Sequence, residues 1–332
     1  MSHAVEVRSL TKRFGDVVAL DDITFDVAEG ELFGLVGPDG AGKTTLFRIL
    51  TTLLVPDAGS ATVLGSDVVR DLWTIRSRVG YMPGGFSLYP DLSVAENLEF
   101  FAAVFGTTVE KGRELIAPIY SQLEPFRDRR AEALSGGMKQ KLALSCALVH
   151  RPDILLLDEP TTGVDAVSRR EFWDQLTTLK ASGLTIVVST PYMDEAMRCD
   201  RIALIHGGRI LDIDAPSAIG DDYEYPLFAV RGADRYGMLK ALRDFPHVHS
   251  AFLFGDALHY ADERHDANRK GERTVPAADD VRELPHPLEH VPAPIADEVR
   301  DYLHSHGFAD ASVEPIAAGI EDSFMARMGS AA

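Results

Sequence analysis

The chain is poor in cysteine, in positive charge and in long apolar runs, and each deficit removes a class of protein. Its two cysteines, Cys146 and Cys199, form no Cys-x-x-Cys pair, so no disulfide framework is expected and both thiols read as reduced and packed. Lys and Arg number 33 against 51 Asp and Glu, a net charge of -18. Such a charge argues against a nucleic-acid-binding surface and against a direct lipid anchor through a basic patch, so neither is expected. No apolar run approaches the roughly 18 residues that a membrane span requires, and the first ten residues hold no apolar signal-peptide core. The expectation is a cytoplasmic protein that reaches a membrane only through a protein partner. What remains is 332 residues with 45% hydrophobic content, enough for one large or two modest domains with a full core.

The stretch Gly37-Pro38-Asp39-Gly40-Ala41-Gly42-Lys43-Thr44-Thr45 organises the rest. It has the phosphate-loop pattern of spaced glycines followed by Lys and a hydroxyl residue. Residues 32–36 before it read as a buried strand and residues 46–53 after it as an apolar helix, the context that the motif needs. Glycines let backbone N–H groups curl around a phosphate chain, and a helix N-terminus adds partial positive charge. Lys43 is expected to reach the β- and γ-phosphates and the Thr44 hydroxyl to help hold Mg²⁺. A plain glycine-rich turn would not need the full spacing with both flanks.

Residues 5–9 and 18–27 alternate as strands of an antiparallel sheet ahead of this loop. Between them Phe14 adjoins Gly15. It offers a flat face to an adenine ring, although an aromatic at a strand end more often serves a core. Ser93-Val94-Ala95-Glu96 is a capping box opening a helix, and residues 92–150 read as mostly helical, an insertion into an alternating strand–helix plan. Within it, Leu134-Ser135-Gly136-Gly137-Met138-Lys139-Gln140 opens a helix whose free N–H groups and hydroxyl suit an anion, or simply cap it. The apolar run Ile154-Leu155-Leu156-Leu157 then ends in Asp158-Glu159-Pro160. A buried strand delivering two carboxylates at its carboxyl end is where α/β folds place chemistry. Asp158 fits a Mg²⁺ ligand and Glu159 a base or water-positioning residue.

The loop at 37–45, the Leu134–Gln140 segment and the strand ending in Asp158-Glu159-Pro160, with Gly163-Val164-Asp165 as a fourth motif, occur in the order of an ATP-binding cassette (ABC) ATPase, which residues 4–222 closely resemble. The resemblance implies an α/β P-loop NTPase of ABC type. Its parts are a mixed sheet core, an antiparallel β subdomain and a helical subdomain at about residues 84–150. It further implies ATP and Mg²⁺ as cofactors, and a second ABC ATPase domain, either a copy of this chain or a paralogue, packed head to tail. Each ATP is then sandwiched between residues 37–45 of one cassette and Ser135, Gly136 and Gly137 of the other. Phe14 falls where the family places its adenine-stacking aromatic, and Asp165 falls in the loop bridging the two sites.

Two positions depart from the pattern. The family's Gln after Pro83 is Gly84, and its switch His after Ser189-Thr190 is Pro191. Glycine has no side chain, and proline donates no hydrogen bond from side chain or backbone. By analogy with loss of one oxyanion donor, the missing His costs about 2.7–4 kcal/mol, roughly 10²–10³ in rate. Lys43, Asp158, Glu159 and Ser135 are nevertheless intact.

Beyond residues 202–213, read as a closing hairpin, residues 214–224 read as a polar linker. Residues 223–332 then parse as βαββαβ, a C-terminal ferredoxin-like α+β domain. Its strands are expected at 225–231, 248–254, 257–261 and 310–316, and its helices at 235–244 and 295–306. Residues 262–294 are charged and carry five prolines, including Pro276 and Pro285, and read as a long mobile loop. His286 and His290 flank Glu289 there, at helical spacing that the prolines spoil. The tail Ile320-Glu321-Asp322-Ser323-Phe324-Met325 and the segment Tyr192-Met193-Asp194-Glu195-Ala196 resemble ATPases of ABC-2-type exporters, the group with daunorubicin-resistance-like efflux systems. That resemblance implies membrane permease subunits as partners and a peripheral place on the inner face of the cell membrane. Two other readings stay open: a regulatory ATP-binding partner that scarcely hydrolyses, favoured by Gly84 and Pro191, and a soluble non-transport ABC protein.

Overall fold

The computed structural model of the chain describes residues 2–85, 87–221, 223–264 and 293–330. They form two compact units, Met1–Pro216 and Ser217–Ala332.

The first unit is built on a six-stranded sheet. Its strands are β3 (Leu32–Val36), β6 (Val79–Met82), β7 (Ile154–Asp158), β8 (Thr185–Thr190), β9 (Arg201–His206) and β10 (Arg209–Asp214), in the order β10-β9-β3-β8-β7-β6. All pair in parallel except β9 with β10. Every residue of β3, β7 and β8 is buried, as continuous apolar runs demand when helices cover both sheet faces. Those helices are α1 (Lys43–Leu50), α2 (Leu72–Arg78), α6 (Ala166–Ala181) and the short α7 (Met193–Ala196). A second, antiparallel sheet of β1 (His3–Phe14), β2 (Val17–Ala28), β4 (Ala58–Val63) and β5 (Ser66–Asp67) has the order β2-β1-β4-β5. It shares one core with the first sheet through Val5, Phe25, Phe33, Phe47 and Leu156. The helical insertion holds α3 (Val94–Val104), α4 (Val109–Tyr120) and α5 (Gly136–Leu148). The capping box of α3 is complete, with Ser93 and Glu96 each accepting the other's backbone N–H.

Two local readings change. β1 runs on to Phe14 instead of ending at residue 9, because the pleat is interrupted by a register shift between Val7 and Leu10. Ser9 there has a φ of 46°, and the next buried residue, Leu10, lies on the other phase from Val5 and Val7. The expected polar linker folds in part into α8 (Pro216–Asp221), which buries Ile219 completely; one apolar residue among polar ones is too weak a pattern to announce a helix.

In the second unit, β11 (Leu227–Arg231), α9 (Arg235–Arg243), β12 (Val248–Phe254), β13 (Ala257–Asp262), α10 (Ala293–Ser305) and β14 (Ser312–Ile316) give the sheet order β12-β13-β11-β14, all antiparallel. This is the ferredoxin-like arrangement. Phe228, Leu258, Tyr260 and Val299 centre its core. α11 (Ile320–Ser330), which the sequence reading did not assign, follows β14. It is fastened by Asp322, whose carboxylate takes His259 Nδ1 at 2.6 Å and the Gly319 N–H at 2.9 Å. His286, Glu289 and His290, with most of residues 262–294, lie outside the described residues.

Candidate nucleotide site

The carboxyl ends of β3, β7 and β8 meet at one place. The loop leaving β3 is squeezed so tightly that a Cβ at Gly37 would sit 2.1 Å from the Ile205 carbonyl oxygen. Gly42 ends it at φ 107° and gives α1 no side-chain cap, so the first N–H groups of that helix are left for a ligand. Pro38, Asp39, Gly40 and Ala41 form the loop between, and Thr44 and Thr45 follow Lys43 in the first turn. Lys43 is 3% exposed. Its Nζ donates to the carbonyls of Gly37 at 2.7 Å and Pro38 at 2.8 Å, and pairs with Glu159 Oε1 at 3.0 Å.

β7 delivers the two carboxylates differently. Asp158 is 1% exposed; its Oδ1 accepts the Ser189 hydroxyl at 2.7 Å, while Oδ2 is buried with no partner among the described residues. Glu159 takes a left-handed φ of 47°, a strained turn for a residue with a side chain. That turn is held by its N–H donating to the Ser189 carbonyl and hydroxyl oxygens at 3.1 and 2.9 Å. The strain turns the second carboxylate out of the strand toward Lys43. A cavity of about 450 Å³ adjoins Thr44, Asp158, Glu159, Arg48, Tyr81 and Gly84.

β8 is the hub that sequence reasoning missed. Its Thr190 carbonyl accepts the Gly37 N–H at 3.3 Å, and its Thr190 hydroxyl donates to the buried Glu195 at 2.6 Å. The other Glu195 oxygen accepts the hydroxyl of Thr161, two residues past Glu159, at 2.7 Å. One carboxylate thus ties the loop after β7 to the end of β8. The signal available was two hydroxyl residues ending a buried parallel strand with an acid in the following helical turn, a pattern with no fixed spacing. Pro191 comes directly after this hub and offers no donor. Gly84 lies beside the same carboxylate: a Cβ on it would stand 3.7 Å from Asp158 Oδ2.

Phe14 closes β1 with half its surface exposed. Lys12 lies over its ring at 5.6 Å and is held there by Asp57 at 2.8 Å. That Lys12 hydrogen bond, joined by the Arg13 N–H, holds the Asp57 carboxyl below its usual range.

Ser135, Gly136, Gly137 and Asp165 form a separate cluster. Ser135 caps α5, accepting the Met138 N–H at 3.3 Å. Asp165 caps α6, accepting from Val167 and Ser168 at 3.1 and 3.0 Å. Ser168 in turn fits so closely that a Cβ on Gly137 would meet its Oγ at 2.5 Å. No hydrogen bond or ion pair among the described residues joins Ser135 or Asp165 to Lys43 or Asp158.

The family described as ABC transporter matches residues 20–162. The multidrug ABC transporter ATP-binding protein YbhF of Escherichia coli, itself named as probable, is 44% identical over 64% of this chain. The chain spans little more than a third, 37%, of that relative's length. The Nod factor export ATP-binding protein I of Rhizobium sp. strain N33 is 37% identical over 77% of this chain and 84% of its own. Among solved structures, a dimeric ATP-binding cassette, MJ0796, in a post-hydrolysis state with ADP and Pi superposes with a TM-score of 0.57 at 27% identity, over 64% of this chain and 98% of its own. An ATP-binding subunit of an ABC transporter gives 0.60 at 28% identity, over 66% and 92%. With its phosphate loop, paired carboxylates and helical insertion in this arrangement, the chain belongs to the ATP-binding proteins of ABC transporters.

Proposed function

We propose that the chain is the motor subunit of an ABC-2-type export complex, closing a head-to-tail dimer on ATP to drive separate membrane permeases. The observation that carries this is the convergence of Thr44, Asp158 and Glu159 on one cavity, with Lys43 paired to Glu159 at 3.0 Å. Members of the family bind ATP with Mg²⁺ and hydrolyse it. Here the buried, unpartnered Oδ2 of Asp158 is costly unless a cation or donor meets it, so the site fits the ion. Asp158 and Thr44 would hold Mg²⁺, which when bound offsets phosphate charge.

The chain's own groups do the rest. Lys43 and the first N–H groups of α1 bind phosphate oxygens, and Phe14 carries the adenine. Glu159 accepts a proton as water attacks: the water oxygen bonds to the γ-phosphorus, and the bond to the β–γ bridging oxygen breaks toward ADP. Ser135, Gly136 and Gly137 serve the site of the second cassette, self or paralogue, and Asp165 lies between the two sites. At this chain's own site Pro191 and Gly84 supply nothing to the γ-phosphate or the water. That favours a second reading, in which this subunit binds ATP, hydrolyses little and completes a competent neighbour.

Permease docking is supported by an apolar groove of about 670 Å³ beside the helical insertion, lined by Trp73, Val79, Phe101 and Phe105 among others. Trp73 is 74% exposed there, and the groove suits a short apolar helix from a membrane subunit. No described helix is long and apolar enough to cross a membrane, so the chain's place on the inner membrane face rests on that partner. The export reading follows the relatives' names, and the second unit takes a dimer-contact or regulatory role.

The test is titration of a fluorescent ATP analogue with Mg²⁺. Lys43→Ala is expected to lose binding at physiological ATP concentrations; unchanged affinity would remove the site assignment.

A further inference from the structure

Gly84 and Gly85 line the cavity beside Asp158 without adding a side chain to it. The fit at position 84 is close, since a Cβ there would stand 3.1 Å from the Asp158 carbonyl oxygen. The cavity reaches from Thr44, Asp158 and Glu159 back to Tyr81 on β6, opposite Leu156 on the strand that ends in Asp158. Tyr81 also lines the apolar groove. With Leu53 and Pro83 it is the wall common to the groove and the nucleotide cavity, and of these three side chains only Tyr81 carries a polar atom.

We propose that Tyr81 is a positioning residue for hydrolysis, its hydroxyl ordering the attacking water in the cavity beside Gly84 and its ring passing occupancy of the groove to that water. The proposal rests on the nucleotide-site reading above and names a residue that reading does not use. The water accepts a hydrogen bond from Tyr81 while giving its proton to Glu159, the division of labour that a water-orienting side chain and a carboxylate base require. Burial, and after it the nearby Asp158 carboxylate, push the phenol up to about 12. It therefore keeps its proton, and remains a donor, throughout the neutral range. Arg48 faces the same cavity but as a permanent cation, a poor candidate for orienting water beside two carboxylates it would rather pair with.

The experiment measures single-turnover phosphate release and the Kd of a fluorescent ATP analogue for four full-length chains: wild type, Tyr81→Phe, Gly84→Gln and the double variant. Tyr81→Phe is expected to slow release about threefold to tenfold, the value of one hydrogen bond, with Kd unchanged. Gly84→Gln brings an amide to the cavity wall, so Tyr81→Phe in that background should cost less than about twofold. Equal losses in both backgrounds, no loss in the first, or a rate loss matched by weakened binding would overturn the proposal. So would a wild type that releases no phosphate, since there is then no water to order. Failure of the wild type to bind Mg-ATP would instead overturn the nucleotide-site reading beneath it.

Discussion

Lys43 Nζ and Glu159 Oε1 lie 3.0 Å apart. On the proposed function, the cation for phosphate is thus held by the carboxylate for water, and ATP is expected to separate them. Binding and release of the base would then be one event: phosphate oxygens replace Glu159 on Lys43, and Glu159 becomes free to face the water. Glu159→Gln removes the competing charge and the base together. It is expected to tighten Mg-ATP binding about twofold to tenfold, on the scale of one lost hydrogen bond, while lowering phosphate release. A titration and a release assay on one preparation check both halves; weaker binding would mean that the ion pair supports the loop instead of blocking it.

Pro191 follows the Ser189–Thr190 hub without a donor for the γ-phosphate. Pro191→His, with Gly84→Gln added, is expected to raise steady-state release by up to roughly 10²-fold, the lower end of what one preorganised donor contributes. The Gln must displace its neighbours by a few tenths of an ångström, because its Cβ would stand 3.1 Å from the Asp158 carbonyl oxygen. Brisk wild-type turnover with no gain on restoration would show that another group replaces the His.

Ser135 is the N-cap of α5 and has no bond to the chain's own phosphate loop among the described residues. Ser135→Arg should cost only about 1 kcal/mol as a lost cap and spare nucleotide affinity, yet block ATP-driven dimers. Light scattering in a Glu159→Gln background reads this directly. Normal dimers in that variant would count against a head-to-tail sandwich.

Asp262 is fully buried at the end of β13. Burial pushes its carboxyl up, but hydrogen bonds from Arg264 and Tyr260 outweigh that and leave it below its ordinary value of 3.8. A carboxylate with a depressed folded value stabilises fully above the unfolded value, and that stability is lost as pH falls through the folded one. Asp262→Asn is accordingly expected to cost about 1–3 kcal/mol at pH 7. The difference from wild type should shrink below pH 3.8. Melting curves of the two full-length chains at several pH values test this; a difference that persists in acid would place the cost in packing.

The phosphate loop, the Asp158-Glu159 pair, the Ser135 segment and the two departures at Gly84 and Pro191 were all legible in sequence. Each is a local pattern whose chemistry depends on residue type and short spacing: a glycine loop must precede a helix, and an apolar run must carry its carboxylates to its end. The βαββαβ order was legible for the same reason, since strand and helix periods differ. Ser9, by contrast, broke the alternation of β1, because a bulge moves every later side chain to the opposite face.

Tertiary structure decided what no spacing encodes. That Lys43 meets Glu159, that Ser189 holds the Asp158 carboxylate and the Glu159 backbone N–H, and that Glu195 joins Thr161 to Thr190 all depend on β3, β7 and β8 lying side by side. Sheet order is set by how buried faces pack over the whole chain, not by the residues of any one strand. The same holds for Tyr81, an ordinary strand residue in sequence, which becomes a wall between two cavities only once β6 takes its place beside β7. Sequence by itself determined which chemical groups this protein owns; packing over long separations determined which of them face one another.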